Sequence, residues 1–455
     1  MAVIFNNLVI NKTSTKFRPF LFNLISGRRR LLSDSEFVTI CSMIDKQENV
    51  IFNRPENDLF NKLIAERQFV TVKERAVIEA RLLETELFNI KEKYAEDFSF
   101  TIELTKSCNM TCSYCYMRNR IEKDTFITKS HVDAIYSFYE AYTDDHSKIA
   151  ATPIITVTGG EPLIDEATVE LINYITLKWP MTKLSIYTNG VNLLKFYDRL
   201  PLRFIKDIHV SLDGIRDIHL HRRYLDKDVN GKIYDNIVTG VRRLLNDGIA
   251  VKIKTTLDRN SYHRHHEFAD FLKKTKISTS ELYSHGYGAV LDYADPLDLD
   301  INFNNKQDVM DMQSCIAKID ANVASAPLFL SSAILYKALR RNKNEPFIPR
   351  HQRCDSRLLS YYRFSCDGNV YFCDCVQDDG SDAIGTYYPH ISIDESAVDR
   401  LLKRSVLNNN ECQKCVYKFI CLGGCPLSAK GQGTEMSCGI YADDEILDNL
   451  EFDYQ

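Results

Sequence analysis

The 455-residue chain lacks the features that direct a protein to a membrane or to a nucleic acid. No apolar run approaches the roughly 20 residues that a membrane-spanning helix needs. The first residues, MAVIFNNLVINK, lack the basic start, long apolar centre and small-residue cleavage site of a signal peptide. The net charge of −5 excludes the basic surface of a general nucleic-acid binder. We therefore expect a cytoplasmic protein with neither a membrane nor a nucleic-acid partner.

Cysteine, in contrast, is abundant. The chain has 14 cysteines, many for a cytoplasmic protein, where disulfides are rare. Twelve of them fall within residues 108–115 and 354–438, and only Cys41 and Cys315 stand apart. Cysteines used only for core packing would be scattered along the chain, so this clustering predicts metal binding.

The length predicts two or three domains. Residues 1–95 are typical of a small α+β module of winged-helix type. Strands and helices alternate over residues 96–315, which predicts a parallel sheet, either open or closed toward a barrel. Residues 316–350 form a predicted helical linker. Residues 351–455 are rich in cysteine and poor in apolar runs, so we expect this module to depend on metal for its stability.

The stretch KSCNMTCSYCYM places Cys108, Cys112 and Cys115 in a C-x3-C-x2-C array after a predicted strand. A structural zinc site would close with a fourth cysteine or histidine, but the next histidine, His131, lies in a predicted helix. Three thiolates suit a four-iron, four-sulfur (4Fe–4S) cluster that leaves one iron open to another ligand.

This array, with an aromatic residue before its last cysteine, resembles the signature of the radical S-adenosylmethionine (SAM) enzymes. TGGEP, YTNG and VSLDG end later predicted strands and are similar to further motifs of that family. The resemblance implies an α/β core built as a partial (βα)6 TIM-type barrel. It implies SAM contacts at Tyr114, Gly159, Gly160, Glu161, Pro162, Asn189, Ser211, Asp213 and Arg223, with Arg222 as the alternative arginine.

The chemistry implied by the resemblance is radical chemistry. SAM binds the open iron, and one electron cleaves it to methionine and a 5′-deoxyadenosyl radical, which takes hydrogen from an unactivated C–H bond. The electron comes from an external donor such as flavodoxin or ferredoxin.

A second array of seven spaced cysteines resembles the SPASM domain of radical SAM peptide-modifying enzymes. Its members are Cys354, Cys373, Cys412, Cys415, Cys421, Cys425 and Cys438. The ending CLGGCP is similar to ferredoxin runs, in which the last cysteine binds the other cluster. The predicted ligands are Cys354, Cys373 and Cys425 for auxiliary cluster I, and Cys412, Cys415, Cys421 and Cys438 for auxiliary cluster II. The expected cofactors are thus three 4Fe–4S clusters and SAM.

Auxiliary cluster I lacks an assigned fourth ligand. Cys366 or Cys375 completes the set, or the iron is open and binds a substrate thiolate; two zinc ribbons are the weaker alternative. Asp374 follows Cys373 directly. An aspartate at this place resembles the general base of the anaerobic sulfatase-maturing branch, while a solvated turn residue is the simpler interpretation.

Residues 1–95 resemble the peptide-recognition element of maturases that act on ribosomally made peptides. Such a module captures the leader of a precursor peptide by adding a strand to a sheet edge. We therefore expect a radical SAM maturase that installs an oxidative crosslink, with a cysteine thioether favoured. The alternatives are formylglycine formation, a carbon–carbon crosslink and epimerisation. A zinc-stabilised peptide-binding protein is the non-enzymatic alternative.

Overall fold

The structure, a computed structural model, describes residues 3–4, 7–10, 18–23, 28–44, 51–52, 58–66, 68, 70–71, 73–82, 99–115, 117, 121–122, 124–145, 153–225, 232–290, 306–319, 361–374, 376, 380–415, 417–431 and 433–437. These residues form two compact units. The terminal unit holds the described parts of Met1–Asn89 and Leu402–Gln455, and the core unit holds those of Ile90–Ile319 and Asp355–Leu401. The predicted domain boundaries follow chain order, whereas this grouping follows contacts in space. No helix in the described stretches is long and apolar enough to cross a membrane.

The terminal unit begins with two small antiparallel sheets. Its strands are β1 (Val3–Ile4), β2 (Asn7–Ile10), β3 (Phe20–Asn23), β4 (Arg29–Leu31), β5 (Ile51–Phe52) and β6 (Val70–Thr71). β1 pairs with β5 and β6, and β3 pairs with β2 and β4. The helices are α1 (Asp34–Ile44), α2 (Asp58–Ala65) and α3 (residues 73–82). α1 starts at a capping box, in which Ser33 and Glu36 accept each other's backbone N–H at 3.3 and 2.9 Å.

The core unit contains a sheet whose main strands run parallel. Its first strands are β7 (Ser99–Glu103), β8 (Thr111–Cys112), β9 (Ile154–Thr158), β10 (Lys183–Thr188), β11 (Ile205–Ser211), β12 (Arg223–Tyr224), β13 (Ala250–Leu257) and β14 (Tyr283–Ala289). Leaving out the short β8–β12 pair, the other six lie side by side in chain order. The order never reverses as it would in a doubly wound sheet, so right-handed crossovers place the connecting helices on one face. This is the strand order expected of the (βα)6 core.

The connecting helices are α4 (Lys129–Asp145), α5 (Glu166–Lys178), α6 (Leu193–Phe196), α7 (Arg216–Arg222), α8 (Ile233–Asn246), α9 (His265–Lys274) and α10 (Lys306–Ile319). α4 to α9 pack on the apolar face of the sheet, where buried side chains such as Ile102, Val157, Ile186, Ile208 and Ile253 belong to one core. Because successive side chains of a strand point to opposite faces, the intervening residues form the other face. The register places Thr101 and Ser185 in one layer of that face, and Tyr187, His209 and Lys252 in the next. We call this polar surface the inner face.

The sheet extends beyond the six strands through part of the cysteine-rich region. β15 (Tyr361–Phe364) pairs in parallel with β7, and β16 (Asn369–Tyr371), β17 (Gly385–Thr386) and β18 (Ser392–Ile393) follow in antiparallel order. Phe364 packs edge-on against Phe100 in the apolar core, with 5.5 Å between ring centroids. The expectation that this region depends on metal rather than on core packing is therefore wrong for residues 361–372.

Four helices complete the described chain: α11 (Glu395–Lys403), α12 (Asn410–Lys414), α13 (Lys418–Cys421) and α14 (Pro426–Gly431). The last three carry or flank the second group of cysteines in the terminal unit. Three predicted cluster positions, Cys354, Cys375 and Cys438, lie outside the described residues, as does the predicted linker beyond residue 319.

Candidate cofactor and cluster sites

The predicted cofactor residues lie directly after four parallel strands. The loop with the first three cysteines follows β7, Gly159 follows β9, Asn189 follows β10, and Asp213 stands just beyond β11. Ser211 is the last residue of β11, and Pro162 is buried in the loop after β9. The carboxyl ends of parallel strands meet at one edge of a sheet, so these loops converge there.

Backbone hydrogen bonds join the glycine turn after β9 to the cysteine loop. Gly160 N donates to the Thr105 carbonyl at 2.7 Å, and Glu161 N donates to the Ser107 carbonyl at 2.9 Å. A Cβ on Gly160 would lie 2.2 Å from the Ser107 carbonyl oxygen, so only glycine permits this approach. The two loops are therefore held together immediately before the first cysteine of the array.

Replacing Gly160 by alanine should displace this turn, because the new methyl group meets backbone atoms that cannot rotate away. We expect the free energy of unfolding to fall by about 3 kcal/mol, the upper end of common overpacking costs. Gly288→Ala is the matched control, since nothing lies within 4 Å of a Cβ at that position. Urea unfolding of the two apoproteins gives the comparison, and equal midpoints would contradict the close approach.

Glu161 is buried and holds the loop that follows β10. Its Oε1 accepts hydrogen bonds from Leu163 N at 2.9 Å and Thr188 Oγ1 at 2.6 Å, and its Oε2 accepts from Asn189 N at 2.7 Å. Burial raises the pKa of Glu161 to about 6, although these donors act in the opposite direction. The carboxylate thus joins the turns after β9 and β10, and its contact with the SAM ammonium group stays a prediction.

Asp213 is fully buried and surrounded by donors. Arg223 Nε lies 2.8 Å from Oδ2, Thr256 N donates to Oδ1 at 3.1 Å, and the Tyr114 hydroxyl also donates to Oδ2. Burial acts to raise the pKa of Asp213, but the charges of Arg223 and Arg222 outweigh it and hold that pKa well below its usual range. The arginine predicted to bind the SAM carboxylate is therefore already paired with a carboxylate of the protein.

The two consecutive arginines take different positions. β12 pairs with β8, which sets Arg223 opposite Cys112 and brings its Nη1 within 3.9 Å of the Cys112 sulfur. Arg222 instead forms an ion pair with Asp258 at 2.7 Å. Both guanidinium groups lie over the Tyr114 ring, at 4.5 and 5.4 Å from its centroid.

The first three cysteines fit an iron–sulfur cluster. They are half-buried, and a charge on one raises the pKa of the next, so the thiols are close neighbours. Burial raises the pKa of Cys108 to about 12 and that of Cys112 to about 11. Met110 N–H points at the Cys108 sulfur from 3.5 Å, a donor of the kind that stabilises cluster sulfurs. In the described part of the chain no three ligand side chains converge on one ion; a cubane instead assigns Cys108, Cys112 and Cys115 to separate irons.

Asp374 lies in the core unit against the inner face. Hydroxyl groups of Tyr361 and Thr101, 2.6 Å from each other, hydrogen-bond its carboxyl group. Tyr187 and Lys254 are near enough to interact with its charge. Within the described residues its Oδ1 has no hydrogen-bond partner. Burial raises the pKa of Asp374, a half-buried residue, and its catalytic role stays a prediction.

Cys366, the other candidate ligand near this position, is part of the apolar core. Its thiol donates to the Glu103 carbonyl at 3.2 Å. The Glu103 carboxylate in turn lies 3.6 Å from Arg363 Nη1, with both side chains buried. Cys366 is thus held inside the sheet rather than presented as an open ligand.

The second cysteine group repeats a turn found in the first. Cys415 N donates to the Cys412 carbonyl at 3.1 Å, as Cys115 N does to the Cys112 carbonyl at 3.2 Å. The turn brings the two cysteines of each C-x2-C pair together. Of the four described members, Cys412 is buried, Cys415 is exposed, and Cys421 and Cys425 are half-buried.

Arg404 fixes the loop between Cys421 and Cys425. It donates to the carbonyls of Gly423 at 2.7 Å, Gly424 at 3.3 Å and Glu435 at 2.9 Å. Both glycines adopt positive φ angles, which a side chain would oppose. Arg404 was not predicted, because no local pattern links it to Gly424, which lies 20 residues later.

Asn109 was also missed, although it lies within the cysteine array. Its Oδ1 accepts a hydrogen bond from Asn189 Nδ2 at 2.7 Å, which joins the cysteine loop to the loop after β10. A polar residue between ligand cysteines, facing another motif at the same sheet edge, was the available signal.

Comparison with known proteins agrees with this geometry. The family model of the Radical SAM superfamily matches residues 102–272. GTP 3',8-cyclase of Clostridium perfringens (strain SM101) is 27% identical over 175 residues, covering 37% of this chain and 49% of the relative. Probable GTP 3',8-cyclase of Pyrococcus horikoshii is 25% identical over 142 residues, covering 31% and 41%. The chain spans about half the length, or less, of these curated relatives.

Solved structures extend the likeness beyond that domain. Native anSMEcpe with bound AdoMet and Kp18Cys peptide has a TM-score of 0.56 and 15% identity, covering 77% of this chain and 95% of its own. Streptococcus suis SuiB bound to precursor peptide SuiA has a TM-score of 0.55 and 14% identity, covering 96% and 98%. At such identities the likeness is one of fold.

Residues 102–272 thus match the Radical SAM superfamily, and this match supports an enzyme, a radical SAM oxidoreductase. Such a domain implies a 4Fe–4S cluster and SAM.

Proposed function

We propose that the chain is a radical SAM maturase of a ribosomally made peptide, and that it installs an oxidative crosslink, most readily a cysteine thioether. The position of Asp374 on the inner face carries this proposal. Asp374 is adjacent in sequence to Cys373, a predicted ligand of auxiliary cluster I. It also interacts with Tyr187, two residues before the strand-end contact Asn189. These contacts support a position of Cys373 beside the inner face, below the strand-end loops at which we expect the radical to form.

The chemistry of a thioether explains why this proximity matters. When bound, SAM and the clusters supply a carbon radical that takes a hydrogen atom and an acceptor for one electron. Joining a carbon to a cysteine sulfur removes one hydrogen atom from the carbon, one proton from the thiol and one surplus electron. Within the described residues Oδ1 of Asp374 accepts no hydrogen bond, and we propose that it takes the proton. Epimerisation requires no net oxidation, so it would not need an acceptor for a surplus electron.

The inner face suits a peptide substrate. It presents hydroxyl, imidazole and ammonium groups from Thr101, Tyr187, His209, Lys252 and Lys254, which can bind backbone and polar side-chain groups. The cyclases of Clostridium perfringens and Pyrococcus horikoshii match stretches of 175 and 142 residues, so their reaction receives no support from the rest of the chain. The fold likeness to SuiB, described with its precursor peptide, covers 96% of the chain and supports the peptide class.

The ligand sets predicted for the two auxiliary clusters belong to this proposal. The core position of Cys366 favours Cys375, or an open iron, as the completion of auxiliary cluster I. The N-terminal residues 1–95 would bind the leader, because the edge strand of a small antiparallel sheet can accept an added strand, and this part of the chain contains two such sheets.

Formylglycine formation is the second candidate, and Asp374 is the observation that favours it. A buried carboxylate with an unpaired oxygen is equally suited to remove a proton during oxidation of a cysteine to an aldehyde. anSMEcpe shares the fold at 95% coverage of its chain. The two reactions change the substrate mass differently, so one experiment separates them.

The test is anaerobic reconstitution followed by reaction with the small cysteine-containing peptide encoded beside the gene. We expect 5′-deoxyadenosine, a peptide lighter by two hydrogens, and one cysteine fewer for iodoacetamide to alkylate. Replacement of SH2 by oxygen would indicate formylglycine, and a two-hydrogen loss with every thiol retained would indicate a carbon–carbon crosslink. An unchanged peptide mass would contradict the proposal. A colourless, zinc-loaded protein that does not cleave SAM would support the non-enzymatic alternative.

In the same assay Asp374→Asn should uncouple product formation from SAM cleavage. We expect 5′-deoxyadenosine to persist while product falls at least about a hundredfold, the low end for losing a general base. Burial raises the pKa of Asp374 above that of an ordinary aspartate. Wild-type product formation should therefore increase as the pH rises through this raised pKa, because the carboxyl group then loses its proton. The exposed neighbour Asp367→Asn is the control, and equal losses in both variants would exclude a base at Asp374.

A further inference from the structure

An ion pair with a buried lysine joins the N-terminal part of the terminal unit to its cysteine-rich part. Lys418, the first residue of α13, has its Nζ 2.8 Å from Glu79 Oε1 on α3, and its side chain is only 2% exposed. Arg75, one helical turn before Glu79, lies 2.8 Å from the same carboxylate and donates to the Gln413 carbonyl at 3.1 Å. α3 is therefore attached to both α12 and α13.

The lysine of this pair lies among predicted cluster ligands. It stands three residues after Cys415 and three before Cys421, and it interacts electrostatically with Cys415. Lysine is almost never fully buried unless it is paired. Apolar side chains of similar size commonly replace buried ion pairs without loss of stability, so stability alone does not account for a charge here.

We propose that Lys418 raises the reduction potential of auxiliary cluster II, and that Glu79 of the N-terminal module holds the lysine in position. This inference rests on the proposed function, which assigns that cluster to Cys412, Cys415, Cys421 and Cys438. Reduction adds a negative charge to a cluster, and net charge and solvent exposure set its potential. A cation held away from water stabilises the added charge more than an exposed cation does. The module that captures the leader thereby contributes to electron transfer.

An electron paramagnetic resonance titration of the reconstituted holoprotein tests the first half. In Lys418→Met one cluster should become harder to reduce, by about tenfold in the equilibrium, or about 59 mV for one electron. The control is Lys414→Met. Lys414 lies next to Cys415, but its side chain is 65% exposed. We expect no shift in the control. No shift in Lys418→Met, or the same shift in both variants, would overturn the inference.

The second half of the proposal is that Glu79 holds Lys418 in position. A double variant tests this pairing and also shows whether a single variant fails only because it misfolds. Lys418→Met leaves Glu79 with Arg75 as its remaining partner, and Glu79→Gln leaves Lys418 buried without a carboxylate. The double variant removes both charges. We expect each single variant to lower the thermal midpoint of the apoprotein and the double variant to lower it by less than the sum. The double variant should still show the fall in potential. Additive midpoints, or an unshifted potential in the double variant, would refute the pairing role.

Cys412→Ala separates failure of this inference from failure of the proposed function. If auxiliary cluster II exists, this variant loses about four irons per chain. An unchanged iron content would contradict the cluster itself, and with it the proposed function. If the cluster is present but Lys418→Met and Lys414→Met have the same reduction potential, only the role of Lys418 is refuted.

Discussion

Replacing Cys115 by alanine should abolish the reductive cleavage of SAM, bringing 5′-deoxyadenosine down to the level of a protein-free control. The remaining cysteines of the array, Cys108 and Cys112, supply only two of the three thiolates that the cluster needs. The turn from Cys112 to Cys115 is closed by a 3.2 Å hydrogen bond, so no other cysteine can take that place without opening it. We propose three four-iron clusters, of which this variant would lose one, so iron should fall from about 12 to about 8 per chain.

The matched control is Cys41→Ala, which removes a half-buried cysteine outside both arrays. It should keep about 12 irons and full SAM cleavage. Chromatographic assay of 5′-deoxyadenosine and colorimetric iron analysis give both numbers on the same samples. A Cys115→Ala protein that still cleaves SAM would remove the basis for the assignment of the first array.

Asp213→Asn should lower the free energy of unfolding by about 3–5 kcal/mol, the usual consequence of breaking a buried ion pair. The Asp213 side chain is fully buried and that of Arg223 is 10% exposed, so the variant leaves a guanidinium charge out of water without its counter-ion. The Tyr114 hydroxyl would also face an amide in place of the carboxylate that accepts its hydrogen bond. Urea unfolding of the apoprotein measures the loss without interference from clusters.

The exposed pair of Arg216 and Asp235 is the comparison, since its side chains are 44% and 59% exposed. Asp235→Asn should cost less than about 1 kcal/mol, because water screens the charges. Adding Arg223→Met to Asp213→Asn should recover part of the loss, since neither charge then remains unpaired. Equal losses of unfolding free energy in Asp213→Asn and Asp235→Asn would show that the buried pair stabilises the protein no more than the exposed pair does.

Local sequence patterns were sufficient for the parallel strands and for the edge at which the candidate site lies. The alternating run AVKIKTTL predicts a strand over the same residues that form β13. DEATVELINYITLK predicts the helix α5, which in the structure begins one residue later with Asp165 as its N-cap. The motifs at the strand ends needed no further information, because parallel strands bring their carboxyl ends together. The winged-helix and SPASM likenesses remain predictions.

Contacts between distant residues were beyond the reach of such patterns. The spacing of Cys366 is compatible with a ligand, yet pairing of β15 with β7 carries it into the core against Glu103. Arg222 and Arg223 are adjacent and chemically alike, but the end of α7 and the start of β12 turn them toward different aspartates. Only the three-dimensional arrangement distinguishes members of such pairs.

The pairing of β15 with β7 also affects how the sheet forms during synthesis of the chain. Thr101 and Tyr361, whose hydroxyls lie 2.6 Å apart across these strands, are separated by 260 residues. At 5–20 residues per second, a ribosome needs roughly 13 to 50 seconds to make the intervening chain. Throughout that interval β7 is an open sheet edge, the kind of surface on which nascent chains associate. Chains that terminate before residue 361 should therefore accumulate as aggregates, while the full-length chain covers the edge with its own strand.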